Sequence, residues 1–225
     1  MNQFFILLVL MTTLSWGLIS SRAGTDSENR RITSARTPPP LHVPFGSGVK
    51  IDGQIDTNEW DETAAITILV RNDWKAQVRL KHDGDFLYFL FESVKHGNER
   101  LFPEILIDPQ NRKGDRWGKG QWWFHVSANL CEGNGEPNVY MKNGTFQCAH
   151  IKDGWAGNNP PATDATNIEV KVAFTKLNMQ PASGVRFGLA TALTNATGDA
   201  KQKWFFWPGR GRIDSPVSWG VAVLD

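Results

Sequence analysis

Tryptophan is the residue type that points most clearly to chemistry in this chain, which contains ten Trp but only two Tyr. In segment 122–129 the even positions are mostly apolar, whereas Trp123 alternates with polar side chains that include His125. Successive side chains of a β-strand point to opposite faces, so this pattern predicts a core position for Trp122 and an exposed position for Trp123. An exposed indole beside hydrogen-bonding groups suits a sugar ring, which has an apolar C–H patch and a rim of hydroxyls. An indole covered by a neighbouring loop is the alternative.

Three further Trp residues occur in segments rich in Gly, Asn, Asp or Pro, namely Trp117, Trp155 and Trp207. Such segments are typical of loops, and loop tips seldom bury a large ring. We therefore expect these indoles either to fold back onto the domain or to be displayed for a ligand.

Stacking on aromatic rings is by itself a weak source of affinity. If a ring loses about half of its ~150–250 Å² to a sugar, the gain is roughly 2–3 kcal/mol before the cost of association. Two rings would then give about millimolar binding, and hydrogen bonds must supply the rest. The polar candidates, most of which we expect to be ordinary solvated loop residues, are Asp115, Arg116, Gln121, His125, Asn129, Asn158, Asn159, Arg210 and Arg212.

Sequence signatures of catalysis are absent from the chain. It has no nucleophile elbow, zinc-binding His-Glu-x-x-His helix, phosphate loop or dinucleotide fingerprint. Glycoside hydrolysis needs two carboxylates at a defined separation in space, which a sequence does not reveal. We predict a protein that is not an enzyme, with a hydrolase as the least favoured alternative.

The elements that position these residues are predicted to be β-strands. Apolar residues recur with a period of two, and clusters of Gly, Pro, Asn and Asp separate the runs. Segment 76–81 alternates cleanly and should place Gln77, Arg79 and Lys81 on a solvent face, whereas Phe86 to Phe91 is apolar on both faces and should be a central strand. The pattern predicts one all-β domain, a two-sheet antiparallel β-sandwich of jelly-roll or immunoglobulin-like type.

Segment 49–60 marks the beginning of the folded domain. Asp52-Gly53 is a strong tight-turn signal. Asp56 followed by Glu59 is similar to a capping box, which predicts one turn of helix that directs Trp60 into the core.

Motifs along the chain resemble, in order, those of the family 9 carbohydrate-binding modules and their relatives among the sugar- or haem-binding β-sandwiches. The resemblance covers roughly Val49 to Asp225. Besides segment 49–60, it rests on Asp83-Gly84-Asp85-Phe86-Leu87-Tyr88-Phe89, Ile105-Leu106-Ile107-Asp108-Pro109, 168–177, Val185-Arg186-Phe187-Gly188 and Trp219-Gly220-Val221. Members of such superfamilies keep the fold while their sites diverge.

The resemblance implies a sugar held between two Trp rings at one end of the sandwich. The pairs we consider combine Trp117 or Trp123 with Trp204 or Trp207. Relatives often carry structural calcium, for which Asp83, Asp85, Asp108 and Asp115 would be the candidate ligands, although the same residues are common turn formers. Haem would need opposed axial ligands from His82, His125, His150, Met141 and Met179, and no pair has a diagnostic spacing. We predict no cofactor, with structural calcium left open.

The N-terminal part of the chain indicates export. Residues 1–23 resemble a secretory signal peptide with an apolar run and small residues before Gly24, and an uncleaved anchor is disfavoured because polar residues interrupt the run. Residues 24–44 are polar, then Pro-rich, and predict a disordered linker. The sandwich is predicted over residues 45–225, in a secreted or periplasmic protein.

The two cysteines, Cys131 and Cys148, predict a disulfide in an exported protein. It would contribute about 3 kcal/mol in the chain-entropy model, and two free thiols or metal ligands are the alternatives. The sequons at Asn143 and Asn195 matter only in a eukaryotic secretory pathway.

A formal charge of +1 argues against nucleic acid or an anionic membrane as a partner. We predict an exported, non-catalytic protein that binds an oligo- or polysaccharide, either alone or beside a separately encoded glycoside hydrolase. The predicted carbohydrate-binding residues are Arg116, Trp117, Trp123, His125, Trp155, Trp204, Trp207 and Arg210. A structural or protein-interaction sandwich without a sugar site is the alternative.

Overall fold

The alternating apolar residues fold into β-strands throughout the computed structural model, which describes residues 38–127, 130–133, 141–142, 145–146, 153–158, 166–195, 203–209 and 211–225. The strands are β1 (Leu41–Val43), β2 (Ala64–Arg71), β3 (Trp74–His82), β4 (Phe86–Glu92), β5 (Lys95–His96), β6 (Glu99–Arg100), β7 (Phe102–Asp108), β8 (Trp122–Val126), β9 (Leu130–Gly133), β10 (Met141–Lys142), β11 (Thr145–Phe146), β12 (Trp155–Gly157), β13 (Ile168–Ala173), β14 (Arg186–Thr194), β15 (Trp204–Trp207) and β16 (Gly220–Leu224). Pro216–Ser218 form a 3₁₀ turn. Within these ranges no helix has the length and apolar character needed to cross a membrane.

Two sheets contain most of the strands. The larger, seven-stranded sheet has the order β1-β16-β14-β7-β8-β9, and β15 also pairs with β14. The five-stranded sheet has the order β12-β13-β4-β3-β2. β1 runs parallel to β16, and the other ladders between these strands are antiparallel. The predicted all-β sandwich is confirmed.

The main core lies between the two sheets. Phe89 and Phe91 of β4 enter it from the smaller sheet, and Ile105 and Ile107 of β7 enter it from the larger one. β4 lies in the middle of its sheet and nearly all of its side chains are buried, which confirms the prediction of a central strand.

Segment 49–60 crosses the face of the smaller sheet that points away from the core. Asp56 and Glu59 close a turn through the bond from the Glu59 amide to the Asp56 carbonyl, at 3.2 Å, and no helix is assigned in this described segment. The predicted helical turn is therefore wrong, but its consequence is confirmed, because Trp60 is only 2% exposed.

The Glu169 carboxylate on β13 holds this segment in place. It accepts hydrogen bonds from the Trp60 indole at 2.9 Å and from the amides of Asp52 and Gly53 at 3.1 and 2.8 Å. Gly53 has φ +85°, and a side chain at this position would collide with Asn158. The Asp-Gly turn thus docks onto a buried acid that lies more than a hundred residues away in the sequence.

Two expectations from the sequence are wrong, one about where the folded domain begins and one about the exposure of Lys81. Strand β1, Leu41–Val43, lies inside the range assigned to the disordered linker and pairs with the last strand of the larger sheet. Lys81 was expected in solvent but is 1% exposed, because its amine donates to the Glu59 carbonyl and lies 5.7 Å from the centre of the Trp60 ring. The predicted signal peptide lies outside the described residues and stays a prediction.

Candidate functional site

The most distinctive chemistry lies on the face of the larger sheet that points away from the main core, which we call the outer face. Residues directly opposite each other in a sheet point to the same side. The register pairs Glu104 with both Ala192 and His125, and Ala192 with Phe206, so these side chains form one row across four strands. The next row towards one end contains Trp204, Thr194 and Phe102, and the next row towards the other end contains Ala190, Leu106 and Trp123.

A buried carboxylate lies at the centre of the outer face. Glu104 is 1% exposed, accepts a hydrogen bond from the Trp123 indole at 2.6 Å and lies 2.6 Å from Nδ1 of His125. The His125 ring also stacks against the Trp123 ring, with 5.7 Å between the ring centres. A buried acid is costly unless it has partners, and here both carboxyl oxygens have one, His125 and the Trp123 indole.

The Glu104–His125 pair retains a proton more strongly than either residue does in water. Burial raises the pKa of Glu104, and the His125 charge and the two hydrogen bonds only partly oppose this effect. Burial alone would lower the pKa of His125, but the adjacent Glu104 carboxylate outweighs it and the pKa of His125 is raised. Both shifts favour keeping a proton between the two groups as the pH rises.

Aromatic rings surround this pair towards one end of the sheet. Trp204 and Phe206, both on the edge strand β15, stack with ring centres 5.7 Å apart and planes inclined by 13°. Both are partly exposed. On the other side of the pair, Phe102 lies 6.4 Å from the His125 ring, and the Arg100 guanidinium lies 5.4 Å from the centre of the Phe102 ring. The outer face therefore combines a flat aromatic platform with charged hydrogen-bonding groups.

Two segments cover the opposite end of the outer face. Trp117 packs edge-on against Trp219, with ring centres 6.0 Å apart, and donates its indole N–H to the Ile213 carbonyl. Lys113 ties the same loop down through bonds to the carbonyls of Trp219 and Gly220. Loop 109–121 and segment 211–219 thus form a lid over Leu106, Trp123 and Ala190.

The exposure predicted for the Trp122–Trp123 pair is wrong. Trp123 is 1% exposed, whereas Trp122 is partly exposed and lies at the margin of the main core. Strand alternation correctly placed the two rings on opposite faces. The polar face is nevertheless covered, because loop 109–121 folds over it.

Trp155 and Trp207 do not reach the outer face. Trp155 begins strand β12, is 5% exposed and packs 5.1 Å from the Phe124 ring in the main core. Trp207 packs against the same core, with its ring over Gly220. Both indoles therefore fold back onto the domain, which is one of the two alternatives expected for them, and the other alternative, display at a loop tip for a ligand, is wrong.

Trp117, Trp123, His125 and Trp204 are brought to the same side of the molecule, and Arg116 is exposed on loop 109–121. Gln121 bonds Asp108 at 2.9 Å. Among the other polar candidates, Asn158 bonds the Glu169 backbone and Arg212 pairs with Asp214. Arg210, Asn129 and Asn159 lie outside the described residues, as does Cys148, so the disulfide stays a prediction.

The residues considered for calcium and haem have other roles where they are described. Asp83 accepts hydrogen bonds from the amides of Asp85 and Phe86 and from the Tyr88 hydroxyl, as a turn former does. No cluster of three or more His, Cys, Asp or Glu suited to a metal occurs in the described part of the chain. His82 is buried in the main core. His150 and the side chain of Met141 are outside the described part, Met179 is buried in the core, and Asp115 is exposed.

Sequence reasoning missed Glu104 and Phe206. Glu104 had a signal, since it is an acid inside the apolar strand 102–107, where a charge needs a buried partner or a site. Phe206 had none, because the aromatic run 204–207 does not reveal which rings face the outer side.

The fold is that of known carbohydrate-binding modules. No family model matches the chain, and no curated protein matches it. Two solved structures of a family 9 carbohydrate-binding module from Caldicellulosiruptor kristjanssonii, one in complex with cellotriose and one with glucose, match with a TM-score of 0.59 each. The structure with cellotriose is 16% identical to this chain, and the match covers 83% of this chain and 94% of that one. The structure with glucose is 15% identical, and the match covers 83% of this chain and 96% of that one. The chain is a β-sandwich with the fold of a family 9 carbohydrate-binding module.

Proposed function

We propose that this protein binds a saccharide noncovalently on the outer face of its larger sheet. The observation that carries the proposal is the stacked pair Trp204 and Phe206 beside the buried pair Glu104 and His125. Aromatic rings accept the C–H face of a pyranose, while charged hydrogen-bonding groups orient its hydroxyls. Two structures with the same fold were solved in complex with cellotriose and with glucose, and they support this choice of ligand class.

The geometry predicts a modest affinity. Trp204 is the one ring of the platform large enough to cover a pyranose face, and half of its area contributes roughly 2–3 kcal/mol before the cost of association. Stacking on one indole would be weaker than millimolar, so polar contacts must supply the remainder. We assign these contacts to Arg100, which is partly exposed beside the Phe102 ring, and to the accessible edge of His125, whose side chain is 11% exposed.

We propose binding without hydrolysis. Glycoside hydrolases need two carboxylates that flank the scissile bond and remain able to exchange a proton with substrate or water. Glu104 is bound by Trp123 and His125, and Asp108 accepts from Gln121 and the Lys113 amide. The same proposal includes export of the protein after cleavage of residues 1–23. It also includes a supporting role for this protein in carbohydrate breakdown by a separate enzyme.

Calorimetric titration of the full chain with glucose, cellotriose and a wider panel of oligosaccharides tests this function. We expect saturable binding that Trp204→Ala weakens at least about tenfold, since a stacked ring contributes more than about 1.4 kcal/mol. Phe45→Ala is the matched control, because Phe45 is 61% exposed and packs beside His82 instead of the outer face. Loss of binding in the control alone, or equal binding by wild type and Trp204→Ala, would refute the site.

A second candidate function is a structural or protein-interaction sandwich without a sugar site. The observation that favours it is that most of the described Trp side chains beyond residue 24 are buried. The indole N–H groups of these buried side chains are hydrogen-bonded within the protein. Trp60 donates to Glu169, Trp74 to the Ser93 carbonyl, Trp123 to Glu104 and Trp219 to the Arg212 carbonyl. Absence of binding to every saccharide in the panel, with a folded protein, would favour this candidate.

A further inference from the structure

We propose that the saccharide recognised on the outer face is anionic, with carboxylate or sulfate groups on its sugar rings. This inference rests on the proposed function and names the class of ligand for the same face. It comes from the distribution of charge, which the fold separates even though the whole chain has a formal charge of +1.

The segment that covers one end of the outer face is strongly basic. Loop 109–121 contains four basic residues and a single acid, Asp115. Its contacts fix it over this face, since Trp117 packs on Trp219 and Lys113 bonds the carbonyls of Trp219 and Gly220. The positive charge therefore lies on the outer face at the end opposite to the aromatic platform, where an oligosaccharide that extends along the face would meet it.

Several of the cations near this face have no acidic partner among the described residues. Arg116 and Lys119 are exposed on the loop, and Lys203 is exposed immediately before Trp204. Arg112 differs, because its guanidinium lies 3.7 Å from the buried Asp108. Two of these cations, Arg116 and Lys119, lie on the lid, and Lys203 lies next to Trp204 in the sequence at the edge of the larger sheet.

One segment on the opposite side of the sandwich is acidic, and it lies on an outward sheet face that also carries the bases Lys75, Arg79 and Lys81. Segment 49–62 contains five acids and a single base, Lys50, and it covers the outward face of the smaller sheet through Val49 and Trp60. An anionic ligand would be repelled by that segment and attracted to the cations of the outer face of the larger sheet. A neutral ligand would gain nothing from this separation.

The arrangement fits an acidic sugar better than a nucleic acid. Trp204 offers one flat platform, and the exposed cations that the described residues place on this face are few for a backbone that carries a charge at every nucleotide. An acidic saccharide places single anions between apolar ring faces. An aromatic platform at one end of the face and isolated cations at the other suit such a ligand.

Matched pairs of oligosaccharides test the inference with the full chain. The carboxylate arm compares a β-1,4-glucan oligosaccharide with a β-1,4-glucuronan of the same length, which differs only by oxidation at C6. The sulfate arm compares a galactan oligosaccharide with its sulfated counterpart. We expect at least one acidic member to bind about tenfold more tightly than its neutral partner at low salt, with the advantage decreasing at 0.5 M salt.

Charge-removing variants locate the effect. Arg116→Gln and Lys119→Gln should each weaken acidic binding about two- to fivefold and leave neutral binding unchanged. Lys75→Gln is the control, because Lys75 is equally exposed but lies on the smaller sheet, and it should change neither.

The outcomes separate this inference from the proposed function. Equal affinity for the neutral and acidic members of both pairs overturns the inference and leaves saccharide binding intact. No binding to any saccharide overturns both. A single-stranded oligonucleotide that binds as tightly as the best acidic saccharide, and depends equally on Arg116, overturns the inference in favour of a nucleic acid.

Discussion

Glu104 and His125 lie 2.6 Å apart on neighbouring strands of the larger sheet and form a nearly buried pair beneath the aromatic rings of the outer face. Their separation in sequence is bridged by the β7–β8 register, which places them directly opposite each other. Each residue sets the protonation of the other. The pair is therefore a sensitive probe of whether the outer face is built as described.

Glu104→Gln should reverse the pKa shift of His125. In the wild type the carboxylate outweighs burial and raises the pKa of His125, so its removal leaves burial to lower that pKa below its ordinary value. NMR titration of the His125 ring protons measures the change. A raised pKa that persists in Glu104→Gln would show that another group holds the proton.

The same pair predicts how stability depends on pH above neutrality. The folded-state pKa of His125 lies above its unfolded value of about 6.5, so its pairing stabilises the fold fully below that pH and is lost as the pH rises through the raised pKa. Urea unfolding between pH 6 and 9 should show this decline in the wild type. Glu104→Gln should flatten the decline; an unchanged slope would contradict the assignment.

His82 should make the fold less stable at acidic pH. It is buried between the Phe45 and Phe174 rings, and burial lowers its pKa against partial opposition from the Asp225 backbone and from the charges of Asp83 and Asp225. The unfolded chain then takes up the proton first, so stability is lost as the pH falls below about 6.5.

Replacement of His82 tests this acid sensitivity. His82→Leu removes the titrating group while keeping an apolar side chain in the core, and the unfolding free energy should then change less between pH 7 and pH 5. His96→Leu is the control, because His96 is exposed and lies near Asp73 instead of Asp225. A wild-type slope in His82→Leu would assign the acid sensitivity to other groups.

Glu169→Ala should lower the free energy of unfolding by about 3 kcal/mol. The substitution leaves the Trp60 indole and the amides of Asp52 and Gly53 without their acceptor, and unpaired buried donors are costly. Chemical denaturation measures the loss. Glu62→Gln, at an exposed acid of the neighbouring segment, should stay within about 0.5 kcal/mol; equal losses in both variants would refute the anchoring role.

Two Trp substitutions on the same face should differ in kind. Trp123→Ala empties a buried site and should cost about 3–5 kcal/mol of stability, whereas Trp204→Ala, on a partly exposed edge strand, should cost about 1 kcal/mol or less. Thermal and urea unfolding provide the comparison. A large loss in Trp204→Ala would make this ring a core residue and not a binding platform.

The sequence predicted the fold well because its signals are local. Alternation along β4 and the turn at Asp52-Gly53 depend on neighbours in the chain, and both expectations are confirmed. Alternation also placed Trp123 and His125 on one face. It did not show that this face is covered, because the covering residues come from loop 109–121 and from segment 211–219.

The prediction that Lys81 is exposed to solvent was wrong for the same reason. Its place in an alternating strand predicted solvent, but segment 49–60 folds across it and supplies the Glu59 carbonyl. Burial of a polar face depends on which distant segments dock there, and no period along one strand encodes that choice. Glu104 illustrates the converse, since a lone acid in an apolar strand did mark a place where another part of the chain provides a partner.

Titration of the indole N–H signals by two-dimensional NMR tests the central claim most directly, because the described Trp residues lie in separate parts of the molecule, some on the outer face and some elsewhere. Addition of the neutral and acidic oligosaccharides should shift the Trp204 indole most, perturb His125, and leave Trp60 and Trp74 on the smaller sheet unchanged. Shifts confined to Trp60 and Trp74, or a Trp204 signal that no saccharide moves, would contradict the proposed binding face.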